Sequence, residues 1–298
     1  METALIILTD GLVYASWLFL ISAGLTLIYG VLRILNLAHG SLYALGAYAA
    51  ASVVLVYFDR GLWPLGSYLA LLGAALVVGA VAGPLIERGL LRWIYGRDPV
   101  YQLLATYALF LILEDLMKLV WGVNPYYAYK PYGLLGIVQL GGIPYPGYSF
   151  LLLGVALLAG GSLYLFIHST RIGRLVVAMI HDPEISAAMG VNVPRVSLLT
   201  FTLGAVLAAL GGAFTAPMIS VVPGLSVEVI VLAFAVVVIG GLGSLEGSAA
   251  GALLVGLVRS LMVHRIPALE LFAIYLVMAM VLLLRPHGLF GMEEVRRV

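Results

Sequence analysis

The spacing with the most chemical content lies in RIGRLVVAMIHDPEISAAMGVNVPR, residues 171–195. Asp182-Pro183-Glu184 reads as a helix start: an N-cap acid, Pro at the first helical position and an acid in the first turn. Gly190 reads as the stop. The pattern predicts a short helix over about 183–189 that exposes Ile185, Ala188 and Met189. Such a helix suits either docking into a groove of another protein or a plain surface link between two longer elements.

Two other stretches are built to break helices. They are Asn36-Leu37-Ala38-His39-Gly40-Ser41 and Gly240-Gly241-Leu242-Gly243-Ser244-Leu245-Glu246-Gly247. Gly lets the backbone leave the helix and lets neighbours approach. Inside a membrane, the freed N–H and C=O groups must face protein or a water-filled path. The breaks therefore read either as parts of a translocation path or as ordinary turns. Glu114, Asp115 and Lys118 form the third polar group. Glu114 and Lys118 stand at i,i+4 in the favourable order, so an ion pair is expected. A proton or ion relay would need a second deep carboxylate, and no other span offers one.

Catalytic constellations are missing. There is no His-Glu-x-x-His, no Gly-x-Ser-x-Gly, no Asp pair suited to intramembrane proteolysis and no Gly-x-x-x-x-Gly-Lys-Ser/Thr. The five His residues, at 39, 168, 181, 264 and 287, are too scattered for a metal site, and there is no Cys. No cofactor and no enzymatic activity are expected.

The elements that must position these residues follow from composition. Of 298 residues, 63% are apolar and 10% are charged, against about 25% charged in soluble domains. Disorder, a disulfide scaffold and a soluble two-domain enzyme are excluded on those figures. A net charge of +1 gives no basic patch for nucleic acid. Charge-free runs mark the spans: 22 residues between Asp10 and Arg33, 25 between Arg33 and Asp59, and 40 between Lys130 and Arg171. A helix needs about 20 apolar residues to cross the hydrocarbon core. The expected fold is all-α: a polytopic transmembrane bundle of eight or nine spans, including broken or re-entrant segments near 229–241 and 247–263. The N-terminal METALIILTD lacks a basic n-region, so the first span is expected to be retained.

Arginine placement orients the bundle. Arg33, Arg88, Arg92, Arg97, Arg171, Arg174, Arg195, Arg285, Arg296 and Arg297 fall on one predicted side, against Arg60, Lys130 and Arg265 on the other. The first side is expected to be cytoplasmic. The 122–147 loop then lies outside, where Tyr126, Tyr127, Tyr129 and Tyr132 suit either the lipid interface or a partner.

Four blocks carry a resemblance. GLTLIYGVLRILNLAHGSLYALGAY (24–48), GRLVVAMIHDPEISAAMGV (173–191), VIGGLGSLEGSAAGALLVGL (238–257) and RPHGLFG (285–291) resemble the LivH-type permease of branched-chain amino acid ABC importers. Glu184, Ala187, Ala188 and Gly190 match in part the Glu-Ala-Ala-x-x-x-Gly signature of importer permeases, with Ile185 and Ser186 replacing two signature alanines. The resemblance spans nearly the whole chain.

It implies one transmembrane permease domain over 1–298, with 171–195 as its cytoplasmic coupling loop. Asp182, Pro183, Glu184, Ala187, Ala188 and Gly190 would seat on a cytoplasmic ATPase. Asn36, His39, Gly40, Gly240, Gly241, Gly243 and Ser244 would line or shape the path. The implied partners are a second related permease, two ATPase subunits, a periplasmic or lipid-anchored binding protein and membrane lipid. The expected place is the inner (cytoplasmic) membrane and the expected cargo a branched-chain or similar small, largely apolar amino acid. Urea or a short amide is the neighbouring cargo. A stand-alone secondary transporter is the alternative class.

Overall fold

The computed structural model describes residues 2–291; Arg296 and Arg297, counted in the charge asymmetry, lie outside them. In chain order the helices are α1 (Glu2–Leu32), α2 (His39–Asp59), α3 (Ser67–Ile86), α4 (Arg92–Ile94), α5 (Pro99–Trp121), α6 (Lys130–Gly133) and α7 (Gly147–Ser169). They continue with α8 (Arg171–His181), α9 (Pro183–Ala188), α10 (Val193–Thr215), α11 (Leu225–Gly240), α12 (Leu245–Arg265) and α13 (Glu270–Leu284). A two-stranded antiparallel hairpin, β1 (Ile137–Leu140) and β2 (Ile143–Pro146), sits in the loop before α7.

Among the described residues, seven helical stretches are long and apolar enough to cross a membrane. α11 is apolar but has only 16 residues, and α5 carries Glu114, Asp115 and Lys118. The expected bundle of eight or nine segments is therefore present. The buried Gly, Ala and Ser of α1, α2, α10 and α12 show how it holds together. Lipid supplies no hydrophobic drive between helices, so close backbone approach must replace it. A Cβ on Gly204 of α10 would lie 2.6 Å from the Ile28 side chain of α1, and one on Gly256 of α12 would lie 2.4 Å from the Gly11 carbonyl.

Contacts along the helices give their directions. Gly24 of α1 faces Gly204 while Gly11 faces Leu257. Gly79 and Gly83 of α3 face Val206 and Thr202 in turn. Thus α1, α3, α7, α11 and α13 run one way and α2, α5, α10 and α12 the other. α8 and α9 lie at the end where α1 and α7 finish. This is the Arg-rich end, which the positive-inside distribution assigns to the cytoplasm.

One expected pair is corrected. Lys118 Nζ bridges Asp115 Oδ1 at 3.0 Å on the exposed side of α5, not Glu114. Glu114 turns inward, where the Gly224 N–H (3.2 Å) and the Ser226 hydroxyl donate to it. An i,i+4 spacing says which groups can meet on a helix surface; it does not say which face the bundle takes.

Candidate functional site

The two broken segments occupy different depths. α1 ends at Leu32, and Arg33 takes a positive φ of 52°. Residues 34–38 then climb back into the bundle. His39 opens α2 with its Nε2 donating to the Ile21 carbonyl at 3.0 Å. Ile21 lies eleven residues before Leu32, about 16 Å up the bundle at 1.5 Å per residue. The link over 33–38 ends in a turn, the His39 N–H donating to the Asn36 carbonyl at 3.2 Å, and the His39 side chain completes the reach to Ile21. The first break is therefore a re-entrant passage into the interior.

A second helix starts near it. α11 begins at Leu225 after Gly224, and a Cβ on Gly40 would lie 2.4 Å from the Ser226 carbonyl. Two helix N-termini thus meet inside the protein. The preceding turns take up most of their first N–H groups, His39 to the Asn36 carbonyl, Ser41 and Leu42 to Ala38, Leu225 to Val222 and Val227 to Gly224, so what both ends present is the positive end of a helix dipole.

The polar side chains here are unusual in a bundle this apolar. Asn36, His39 and Ser41 are fully buried. Both amide atoms of Asn36, Nδ1 of His39 and Oγ of Ser41 find no hydrogen-bond partner among the described residues. Ser22 and Thr26 of α1, Tyr48 of α2 and Thr200 of α10 are buried with unpaired hydroxyls too. Leaving such a group unpaired costs about 1–3 kcal/mol each. Because Nε2 of His39 faces a carbonyl, it carries the proton, and Nδ1 of the neutral ring is an acceptor. Below Thr215 of α10 the network closes: Tyr43 donates to Thr215 Oγ1, which donates to the Gly211 carbonyl at 2.8 Å.

The second break lies at the Arg-rich end. Gly240 to Ser244 form a tight turn from α11 into α12, with φ of 106° at Gly241 and 83° at Gly243. Ser244 caps α12, its Oγ accepting from the Gly247 N–H at 3.0 Å. The C-terminal segment seals the turn. Leu289 and Phe290 N–H groups donate to the Ile239 and Gly240 carbonyls at 2.9 and 2.8 Å. This gives the RPHGLFG block a role that sequence reasoning had left blank: it caps α11. Gly240, Gly241, Gly243 and Ser244 therefore stand together with one another and with residues 288–291. They stand apart from Asn36, His39 and Gly40.

The expected short helix is present over Pro183–Ala188. Asp182 Oδ1 accepts from Glu184 N (3.1 Å) and Ile185 N (2.9 Å). At its end Gly190 has φ 86°. Its N–H donates to the Ala187 carbonyl (3.0 Å), and the Val191 N–H donates to the Ser186 carbonyl (3.1 Å). That is the two-bond stop that favours Gly. Ile185 and Met189 are exposed, and Ser186 is buried.

Arg33 is a functional candidate the sequence did not single out. Its Nη2 donates to the Ile180 carbonyl of α8 at 3.4 Å, and the Ile180 side chain lies against Gly30. Gly30 in turn faces Gly243. The α8–α9 unit, the start of the re-entrant segment and the α11–α12 turn thus touch at one end of α1. Its positive φ had no sequence signal.

Two titratable features lie outside the spans. The Tyr95 hydroxyl donates to Glu87 Oε1 at 3.2 Å and is pushed above its ordinary range by burial, then by the Glu87 charge. Burial, with the Asp10 charge adding, also pushes the hydroxyls of Tyr132 and Tyr145 up. Tyr126 pairs with Val221 through backbone hydrogen bonds of 2.9 and 3.0 Å, so part of the Tyr-rich loop covers the 216–224 segment.

The profile of the family described as "Branched-chain amino acid transport system / permease component" matches residues 7–284. The chain is 29% identical to the high-affinity branched-chain amino acid transport system permease protein BraD of Pseudomonas aeruginosa, over 98% of this chain and 97% of that one. It is 26% identical to the corresponding permease protein LivH of Escherichia coli, over 97% and 96%. The ribose import permease protein RbsC of Escherichia coli is 27% identical over 81% of this chain and 73% of its own. With its apolar spans, its re-entrant interior and this match over nearly its whole length, the chain belongs to the permease-component family of branched-chain amino acid transport systems.

Proposed function

We propose that the chain is the pore-forming subunit of an ABC importer that carries branched-chain or similar small, largely apolar amino acids into the cell. In this reading it pairs with a second related permease, sits on two cytoplasmic ATPase subunits and receives cargo from a periplasmic or lipid-anchored binding protein. The relatives' names support the cargo class. The observation that carries the path is the set of unpaired polar groups at the first break, on Asn36, His39 and Ser41. A zwitterion needs donors and acceptors in one place, and Asn and Ser offer both. Helix N-termini favour its carboxylate. Ile21, Leu42 and Ile230 are buried beside them and suit an apolar side chain. Gly240, Gly241, Gly243 and Ser244 shape the inner end of the path, beneath α11.

α9 is the coupling helix in this reading. Its exposed Glu184, Ile185 and Met189 face the partner, while α8 and Arg33 relay its movement to the re-entrant segment. ATP and loaded binding protein must favour different conformations for the cycle to turn.

Two measurements test this. Glu184→Lys and Gly190→Pro should leave membrane insertion intact and uncouple uptake from ATP hydrolysis. Pro cannot adopt φ 86° and lacks the N–H that binds Ala187. Normal ATP-driven uptake by both variants would remove the coupling assignment. Cargo is decided by an affinity panel on the binding protein: leucine, isoleucine and valine should bind, and selective binding of ribose or urea would overturn the amino-acid reading.

A further inference from the structure

α5 is attached to the bundle at few points. Of its 23 residues only Thr106, Leu113, Glu114 and Met117 are buried. The two polar ones reach two different places, the link before α2 and the start of α11. The Thr106 hydroxyl donates between two carbonyls, each 3.1 Å away: Leu35, inside the re-entrant 34–38 segment, and Leu103 of its own helix. Glu114 accepts from the Gly224 N–H and the Ser226 hydroxyl, at the start of α11. A carboxylate there answers the Gly224 N–H and the dipole of that helix. Thr106 and Glu114 are eight residues apart, on one face and about 12 Å along the axis. The two segments they hold are the two that meet at Gly40 and Ser226.

We propose that α5 is a strut that holds both segments shut, and that it must release Leu35 and the α11 N-terminus together for the path to open. Thr106 and Glu114 act as positioning residues: they set the two segments against each other without touching cargo. The inference rests on the proposed path through the first break. It gives the path a single moving part, on a helix that is tied to α2 chiefly near its far end, where Trp121 donates to Ser52 at 2.6 Å.

The test uses the complete complex in liposomes and a small thiosulfonate reagent. The chain has no native Cys, so Asn36→Cys and Val221→Cys report one segment each. Glu114→Ala should speed labelling of Asn36→Cys, the distant segment, about fivefold, within the range coupling changes produce. Thr106→Val should do the same for Val221→Cys. Glu114→Gln keeps one oxygen to accept from the Gly224 N–H and turns its NH2 to the Ser226 hydroxyl, which then accepts, and should restore the slow rate. Sites this far apart are otherwise independent. If each substitution opens only its own segment, or if Gln behaves like Ala, the strut is overturned. Should Glu114→Ala fail to assemble, Ser226→Ala removes the hydroxyl donor and must give the same distant effect. Protection by leucine of Leu37→Cys, which leaves Asn36 in place, tests the path separately in the otherwise unaltered chain. Absent protection with the cross-segment effect intact would remove the path and leave the strut.

Discussion

At the scale of single residues, the interior combines tight glycine contacts with unpaired polar groups. Gly40 stands where α2 and α11 cross, and a Cβ there would also lie 2.7 Å from Ile230 Cβ. Gly40→Ala should destabilise the protein by about 1–3 kcal/mol, read as a lower melting temperature. Gly73 of α3 has open space where its Cβ would go. Gly73→Ala should stabilise by about 0.5–1 kcal/mol through helix propensity. An equal effect at both positions would contradict the contact argument. Asn36→Leu separates stability from function. Replacing two unpaired amide atoms should raise the melting temperature by about 1 kcal/mol of stability, while uptake falls at least tenfold if Asn36 serves the path. Unchanged uptake would exclude that role. The identities of these residues were legible beforehand, as was the suspicion attached to Asn36, His39 and Gly40. The inward turn of Glu114 was not, because it depends on which face of α5 meets α11.

At the scale of elements, α9 is the most legible piece, because its start and stop are local. An N-cap acid and a left-handed Gly act within a few residues of chain, so reading them needs no knowledge of the packing. Asp182→Ala should cost about 1 kcal/mol and fray α9. The measurable result is more ATP hydrolysed per amino acid moved, with total hydrolysis little changed. A variant with unaltered stoichiometry would show that the cap is not needed for coupling. The two breaks looked alike in sequence, both interrupted by Gly with polar residues and each flanked by apolar helix. In the structure one is a re-entrant passage opening at His39 and the other a turn capped by residues 288–291. The difference arises from distant partners, Ile21 for the first and Leu289 with Phe290 for the second. No local pattern carries that information.

At the scale of the whole molecule, the alternating helix directions put Trp63 and Met189 at opposite ends, and both are exposed, at 68% and 81%. In sealed vesicles of known orientation, Trp63→Cys should label from the outside and Met189→Cys only from the inside. Labelling of both from one side would overturn the topology. The order of crossings also explains why α1 is central. It packs against α7, α10, α11 and α12 and carries Gly11, Gly24 and Gly30 at three separate contacts. In the proposed cycle, α1 and Arg33, which leads directly into the re-entrant segment, are the contacts that connect the α8–α9 unit to the interior.

The sequence by itself determined the class of protein, the approximate number of spans and the short capped helix α9. Those properties depend on apolar run length, charge placement and short-range caps, all of which are local along the chain. Only the tertiary structure decided that α2 and α11 begin inside the bundle, that Lys118 pairs with Asp115 while Glu114 binds the α11 N-terminus, and that the C-terminal segment closes the second break. Each is a choice of partner far away in sequence, made by which backbones can approach closely enough when lipid offers no hydrophobic drive and every buried N–H and C=O must find a partner.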